Sequence, residues 1–161
     1  ISPMYGSSIK VPQGWEITFS EINRNKYEIH ELMQGYGEGS NPEEYISFGS
    51  TIDSGTYSSI DEYWNEIYSL NPQAIPKVFE NFKTGNYMIR IYQRNDFTIG
   101  GSSNENTYVP VVGAVVLDNQ DGKVRSFLFD IRKEVKADFR IDTPTMNFIK
   151  AILDTFKFKN K

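Results

Sequence analysis

The chain has 161 residues, a formal net charge of −4, no cysteine, and a composition of 39% hydrophobic and 24% charged residues. This length and composition predict one folded domain over residues 1–161, and the high aromatic content favours β-strands. The negative charge argues against nucleic-acid binding, the lack of cysteine excludes disulfides and thiolate sites, and no apolar run is long enough to cross a bilayer.

Strands dominate the predictions for the first third of the chain. Residues 8–11 and 15–19 alternate apolar and polar positions around Pro12-Gln13-Gly14, which predicts an opening hairpin. Residues 26–33 predict a weak strand, and the glycine-rich residues 35–41 predict a loop. Residues 45–52 predict a further strand.

A helix is predicted after this strand. Ser59 and Glu62 have the spacing of a capping box, and Asn71-Pro72 are typical of a helix end. Apolar residues recur between these signals at helical spacing, so we expect one aromatic face to lie on a sheet. This face consists of Ile60, Tyr63, Trp64, Ile67 and Tyr68.

A three-stranded meander is predicted in the second half. In residues 86–94, Tyr87, Ile89 and Ile91 alternate with more polar positions, which predicts a central strand. It is preceded by a predicted strand at residues 77–82 and a predicted turn at Thr84-Gly85-Asn86. Strand-like runs at 108–117 and 123–131 follow it, separated by a predicted loop at 96–107 and a turn at 118–122.

The last predicted element is a helix capped by Thr143 and started by Pro144, which runs through about Phe156. Its apolar positions repeat at helical spacing and predict a buried face of Phe148, Ile149, Ile152, Leu153 and Phe156.

Few residues are suited to catalysis. His30 is the only histidine, and no serine has the Gly-x-Ser-x-Gly setting of a hydrolase nucleophile. Residues 118–122 cluster oxygens as a calcium loop does, but their Asp-Gly favours a turn. The carboxylates Glu43 and Glu44, or the group Asp61, Glu62 and Glu66, offer an acid and base pair, although acidic residues in a first helical turn also complement the helix dipole.

Both ends of the chain carry the pattern of a known family. The opening Tyr5-Gly6-Ser7-Ser8-Ile9-Lys10-Val11-Pro12-Gln13-Gly14-Trp15 and the ending Ile152-Leu153-Asp154-Thr155-Phe156-Lys157-Phe158 resemble those of the PsbP-like superfamily, which includes bacterial lipoprotein-like members. The resemblance implies an α+β fold with an antiparallel sheet flanked by helices, an α/β/α sandwich. No catalytic motif of that family is matched.

These observations favour a non-catalytic binding or scaffold domain of a bacterial cell-envelope or secreted protein, placed outside the cytoplasm. The partner is then a protein or a cell-envelope component, and no cofactor or metal is predicted. The start at Ile1 instead of Met suggests that an upstream segment, such as a membrane anchor, has been removed. Two alternatives stay open: a carboxylate-dependent hydrolase acting on a glycan or peptide, and a small-ligand carrier with an aromatic pocket between helix and sheet.

The binding surface is predicted on the two glycine-rich loops, because loops carry aromatic and polar contacts on a rigid scaffold. Its residues are Tyr36, Asn41, Phe97, Ser102 and Asn104. A basic cluster near the last helix is a second candidate for an acidic partner or a lipid headgroup, or else a solvated connection. It consists of Arg132, Lys133, Lys136 and Arg140.

Overall fold

The computed structural model describes residues 7–20, 32–41, 43–53, 55–94, 110–131 and 139–158. These residues form an α+β fold, with two α-helices and a short 3-10 turn at Pro72–Ala74. The helices are α1 (Ile60–Tyr68) and α2 (Thr143–Asp154). The strands are β1 (Ser7–Ser8), β2 (Glu16–Ser20), β3 (Leu32–Glu38), β4 (Tyr45–Ile52), β5 (Lys77–Thr84), β6 (Tyr87–Arg94), β7 (Val111–Asp118), β8 (Val124–Ile131) and β9 (Lys157–Phe158).

Seven strands pair in one antiparallel sheet in the order β2-β3-β4-β8-β7-β6-β5, and β1 pairs with β9 separately. The predicted meander is confirmed, because β6, β7 and β8 are neighbours in sequence and in the sheet. The prediction that residues 86–94 form the central strand is wrong. Strands β4, β3 and β2 extend the meander beyond β8, whereas only the edge strand β5 lies beyond β6. The middle strand of the seven is therefore β8, and β6 is second from the edge.

Two glycines at predicted turns close two hairpins of the sheet. Gly85 has a φ of 57° between β5 and β6, and Gly122 has a φ of 72° between β7 and β8. Glycine adopts such positive φ angles without the steric cost that a Cβ imposes. The predicted strand at residues 45–52 is confirmed with the same bounds in β4.

The predicted opening hairpin is wrong. The turn at residues 12–14 forms, since the Trp15 amide donates to the Pro12 carbonyl at 3.2 Å, but the strands on either side have different partners. Strand β1 pairs with β9, and β2 pairs with β3. Alternation of side chains identifies a strand without identifying its neighbour, so the local pattern could not reveal this pairing.

The predicted loop at residues 35–41 is also wrong over its first half, which belongs to β3. Its glycines provide space for aromatic rings. A Cβ on Gly35 would lie 2.3 Å from the Phe48 ring, and one on Gly37 would lie 2.2 Å from the Trp15 ring. Glycine inside a strand often marks such a close approach.

Helix α1 packs on one face of the sheet. Ser59 caps it as predicted by accepting from the Glu62 amide at 3.1 Å, while the Glu62 carboxylate accepts from the Ser58 amide at 2.7 Å. A first apolar cluster joins the helix to the sheet: Ile60, Tyr63, Trp64, Tyr92, Val115, Leu117 and Val124. Contrary to the prediction, Ile67 is 49% exposed and Tyr68 is half-buried.

Helix α2 packs on the opposite face, against the other side of the same strands. Its N-cap is Asp142, one residue before the predicted Thr143, and the Asp142 side chain accepts from the Thr145 amide at 2.7 Å. Four of the five predicted apolar positions are buried, and Phe148 is half-buried against Trp15 with ring centroids 6.0 Å apart. The larger core cluster therefore lies on this face. No described helix is long and apolar enough to cross a membrane.

Candidate functional site

A groove opens on the sheet face that α1 occupies. The helix contacts β6 and β7, while strands β3 and β4 and the second half of β8 continue the same face beyond it. The space between α1 and these strands has a volume of about 1000 Å³. This volume lies at the upper end of the range for small-molecule sites, which is roughly 300–1000 Å³.

The floor of the groove is made by one side-chain row across the sheet. Strand register places Thr18, Gln34, Gly49, Leu128, Gly113 and Tyr92 in this row, from β2 to β6. The floor is small and polar around Gly49. The nearest atom to a Cβ built on Gly49 is a Leu32 methyl at 4.0 Å, and Ser47 and Thr51 flank this glycine on β4.

Aromatic and aliphatic side chains form the two walls. Trp64, Ile67 and Tyr68 of α1 line one side, and Tyr36 of β3 and Tyr45 of β4 line the other. The Tyr36 and Tyr45 rings have centroids 6.2 Å apart and are 37% and 39% exposed. Large apolar surface is thus presented to the groove instead of being packed away.

Tyr92 fixes the inner edge of the groove. Its ring contacts Trp64 edge to face at a centroid distance of 4.9 Å and lies directly over Gly113, where a Cβ would be 2.0 Å from the ring. Burial raises the pKa of Tyr92 above its ordinary value, because a phenolate loses hydration in the packed site. The phenol is therefore neutral at physiological pH.

One end of the groove carries two opposite charges. A second row across the sheet holds Tyr36, Ser47, Asp130, Val111 and Arg94. Asp130 and Arg94 both line the groove. Together they contribute no net charge, so the described lining does not favour an anion or a cation.

The structure places only part of the predicted binding surface at the groove. Tyr36 lies on its wall, although on a strand instead of a loop. Asn41 belongs to the turn before β4, where its side chain accepts from the Glu43 amide at 3.2 Å. The predictions for Phe97, Ser102 and Asn104 lie outside the described residues.

The basic cluster and the histidine are mostly beyond the described ranges. Arg140 is exposed just before α2. The predictions for Arg132, Lys133, Lys136 and His30 concern residues that the structure does not describe.

The candidate carboxylates lie away from the groove. Glu44 is buried beside α2, where its Oε2 accepts from the Thr145 hydroxyl at 3.2 Å, and Glu43 is exposed. Asp61 contacts Arg90 at the start of α1. Asp130 is the one carboxylate among the described residues that line the groove.

The turn at residues 118–122 has the hydrogen bonds of a tight hairpin. The Asp118 carboxylate accepts from the Gln120 amide at 2.9 Å, and the Asp121 carboxylate accepts from the Lys123 amide at 3.1 Å. The described part of the chain contains no group of three or more His, Asp or Glu residues placed to hold a metal ion.

Sequence reasoning missed most of the groove. One feature of the sequence could have indicated the groove. Ser47, Gly49 and Thr51 are small residues on one face of β4, whose other face is largely apolar. Such a strand has one face in the core and leaves a shallow depression on the other. Ile67 and Leu128 were not predicted to line a binding site, because periodicity does not distinguish an exposed apolar residue from a core residue.

The fold and site together define an α+β protein with an antiparallel sheet and an open, largely neutral groove beside its first helix. The chain matches no protein-family model, no curated protein and no solved structure.

Proposed function

We propose that this chain is a non-catalytic binding domain of a bacterial cell-envelope or secreted protein, of the PsbP-like α/β/α type, and that its partner binds in the groove beside α1. The partner is a component of the cell envelope outside the cytoplasm. The family resemblance at the two ends of the sequence supports the location, and the groove supports the binding role.

The observation that carries the proposal is the exposure of large apolar side chains along the groove. Tyr36, Tyr45, Ile67 and Leu128 are each between 36% and 49% exposed and all line this one concave surface. Contiguous apolar surface rimmed by polar groups is typical of a binding site, and tyrosine is enriched at the energetic centres of such sites.

The distribution of acidic residues favours binding over hydrolysis. A glycosidase-type mechanism needs two carboxylates on either side of the scissile bond, separated by about 5–10 Å. Asp130 has no second described carboxylate beside it in the groove lining. Glu44 and Asp61 have structural partners in Thr145 and Arg90.

Gly49 allows a direct test, because its surroundings leave room for a new side chain. Gly49→Phe would fill the floor of the groove, whereas Ala151→Phe would add the same ring to the exposed side of α2 on the opposite face. We expect the wild type and Ala151→Phe to sediment with isolated bacterial cell envelopes and Gly49→Phe to bind about tenfold more weakly. Equal binding of all three proteins, or no binding by the wild type, would overturn the proposal.

A small-ligand carrier is the second candidate, since the groove lies between helix and sheet and has Trp64, Tyr68 and Tyr92 in its lining. A carrier would hold a free small molecule with the protein detached from the envelope. Native mass spectrometry of protein purified from its bacterial source would then show a bound ligand that Gly49→Phe lacks.

A further inference from the structure

We infer that the groove binds a neutral oligosaccharide. This inference rests on the proposed binding function and names the class of ligand. It follows from three features of the groove: a polar floor, an aromatic wall and a lining with no net charge. A peptide, a lipid chain and a charged ligand each fit this surface less well.

The floor offers hydrogen bonds. The Gln34 amide and the Thr18 and Thr51 hydroxyls line the groove, where Thr18 and Gln34 are exposed and Thr51 is half-buried. Amides and hydroxyls can both donate and accept. A ligand with many hydroxyl groups can satisfy such a surface at several points.

The wall offers flat apolar surface next to these polar groups. Tyr36 and Tyr45 present two rings at a 37° interplanar angle beside the small residues of β4. A sugar ring has one face of C–H groups and an edge of hydroxyls, so it can stack on a tyrosine while its hydroxyls reach the floor. The negative face of the aromatic ring attracts the slightly positive C–H groups.

An extended peptide fits this surface less well. Peptides that bind to sheets add a strand at an exposed edge and use its free backbone groups. The edge strand β2 contributes only Thr18, at one end of the floor, whereas β3, β4, β8 and β7 are each paired on both sides within the sheet. A peptide lying across them would have no backbone edge to pair with.

A lipid chain or a charged ligand also fits less well. An alkyl chain would bury the Gln34 amide and the Thr51 hydroxyl without a hydrogen-bond partner, which is unfavourable because both groups would lose their hydration. Arg94 and Asp130 at one end have opposite signs, so the described groove offers no net charge to an ionic ligand.

The test uses envelope material from which one class of component is removed at a time. We expect mild periodate, which cleaves the vicinal diols of sugars, to reduce sedimentation of the full chain with envelopes by about tenfold. Protease treatment and chloroform–methanol extraction should each change it by less than about twofold, and polysaccharide released from the envelopes should compete for binding.

Side-chain variants examine the stacking contact. Tyr36→Ala is expected to weaken binding by about tenfold, and Tyr36→Phe, which keeps the ring, by less than about threefold. Loss of binding after protease treatment or lipid extraction, with periodate having no effect, would overturn the saccharide assignment. If Gly49→Phe still abolished binding in that case, the groove would remain the binding surface. If Gly49→Phe had no effect, the proposed function itself would be wrong.

Discussion

The guanidinium carbon of Arg90 lies 5.1 Å from the centre of the Trp64 ring, so a buried cation of β6 is covered by the tryptophan of α1. Arg90 Nε donates to Asn81 Oδ1 at 2.8 Å, and its Nη2 donates to the exposed carboxylate of Asp61. One side chain thereby connects β5, β6 and α1, and it sets the position of the helix that forms a wall of the groove.

Replacing this arginine should loosen α1. Arg90→Leu removes the cation over Trp64 and the bond to Asn81, and we expect it to lower the free energy of unfolding by about 1–3 kcal/mol. Asp61→Asn should cost less than about 1 kcal/mol, because the Asp61 side chain is 72% exposed and its ion pair is screened by water. Urea unfolding followed by circular dichroism measures both values. Equal stability of Arg90→Leu and the wild type would show that Arg90 does not hold the helix.

Two glycines on the same face of the sheet should respond differently to alanine. In Gly113→Ala the new Cβ would lie 2.0 Å from the Tyr92 ring, so we expect a loss of about 1–3 kcal/mol as this buried ring shifts. Gly49→Ala has open space and should be neutral or up to about 1 kcal/mol more stable, since alanine restricts the unfolded chain. Thermal unfolding of the two variants gives the comparison. A destabilised Gly49→Ala would mean that the floor of the groove is filled.

The elements that sequence reasoning predicted correctly have strong local signals. Gly85 and Gly122 mark hairpin turns through their backbone conformation, and Ser59 marks a helix start through a bond to a residue three positions away. Each depends on neighbours in sequence and can be identified without knowledge of the tertiary fold.

The elements that were missed depend on distant contacts. Gly35 and Gly37 favour a loop by composition, but their role is to accept the rings of Phe48 and Trp15. The pairing of Ser7 with Phe158 joins opposite ends of the chain. The groove has the same origin, because its floor is the row from Thr18 to Tyr92, which exists only once six strands have paired.

Stability should fall in alkaline solution because several phenols are buried. Burial, followed by the nearby carboxylate of Asp53, raises the pKa of Tyr57 to about 12. Burial also raises the pKa of Tyr63 and Tyr92. The ordinary phenol pKa is about 10. A phenol whose pKa is higher in the folded state contributes stability that is complete below the unfolded pKa of about 10. This contribution is lost as pH rises from the unfolded pKa through the folded pKa.

Absorbance at 295 nm during a pH titration tests this directly. We expect Tyr57, Tyr63 and Tyr92 to ionise well above the ordinary phenol pKa of about 10, and the urea midpoint to fall as pH rises from about 10 to about 12. Asp53→Asn should lower the pKa of Tyr57, because it removes a negative charge near the phenol, whose oxygen lies 3.4 Å from Asp53 Oδ1. Ionisation of all ten tyrosines at one midpoint near 10, with native circular dichroism, would contradict the burial of these groups.

Tyr87 attaches the last strand to the sheet. Its hydroxyl accepts from the Phe158 amide at 3.1 Å, and its ring contacts those of Phe156 and Phe158 at centroid distances of 6.2 Å and 6.0 Å. Tyr87→Phe keeps the ring and removes the acceptor, so we expect a loss of about 1 kcal/mol and faster hydrogen exchange at the Phe158 amide. Tyr36→Phe is the matched control, because it removes the same hydroxyl from an exposed ring on the groove wall. We expect it to change the free energy of unfolding by less than about 0.5 kcal/mol. Unchanged exchange at Phe158 in Tyr87→Phe would mean that the pairing of β9 with β1 alone holds this end of the chain.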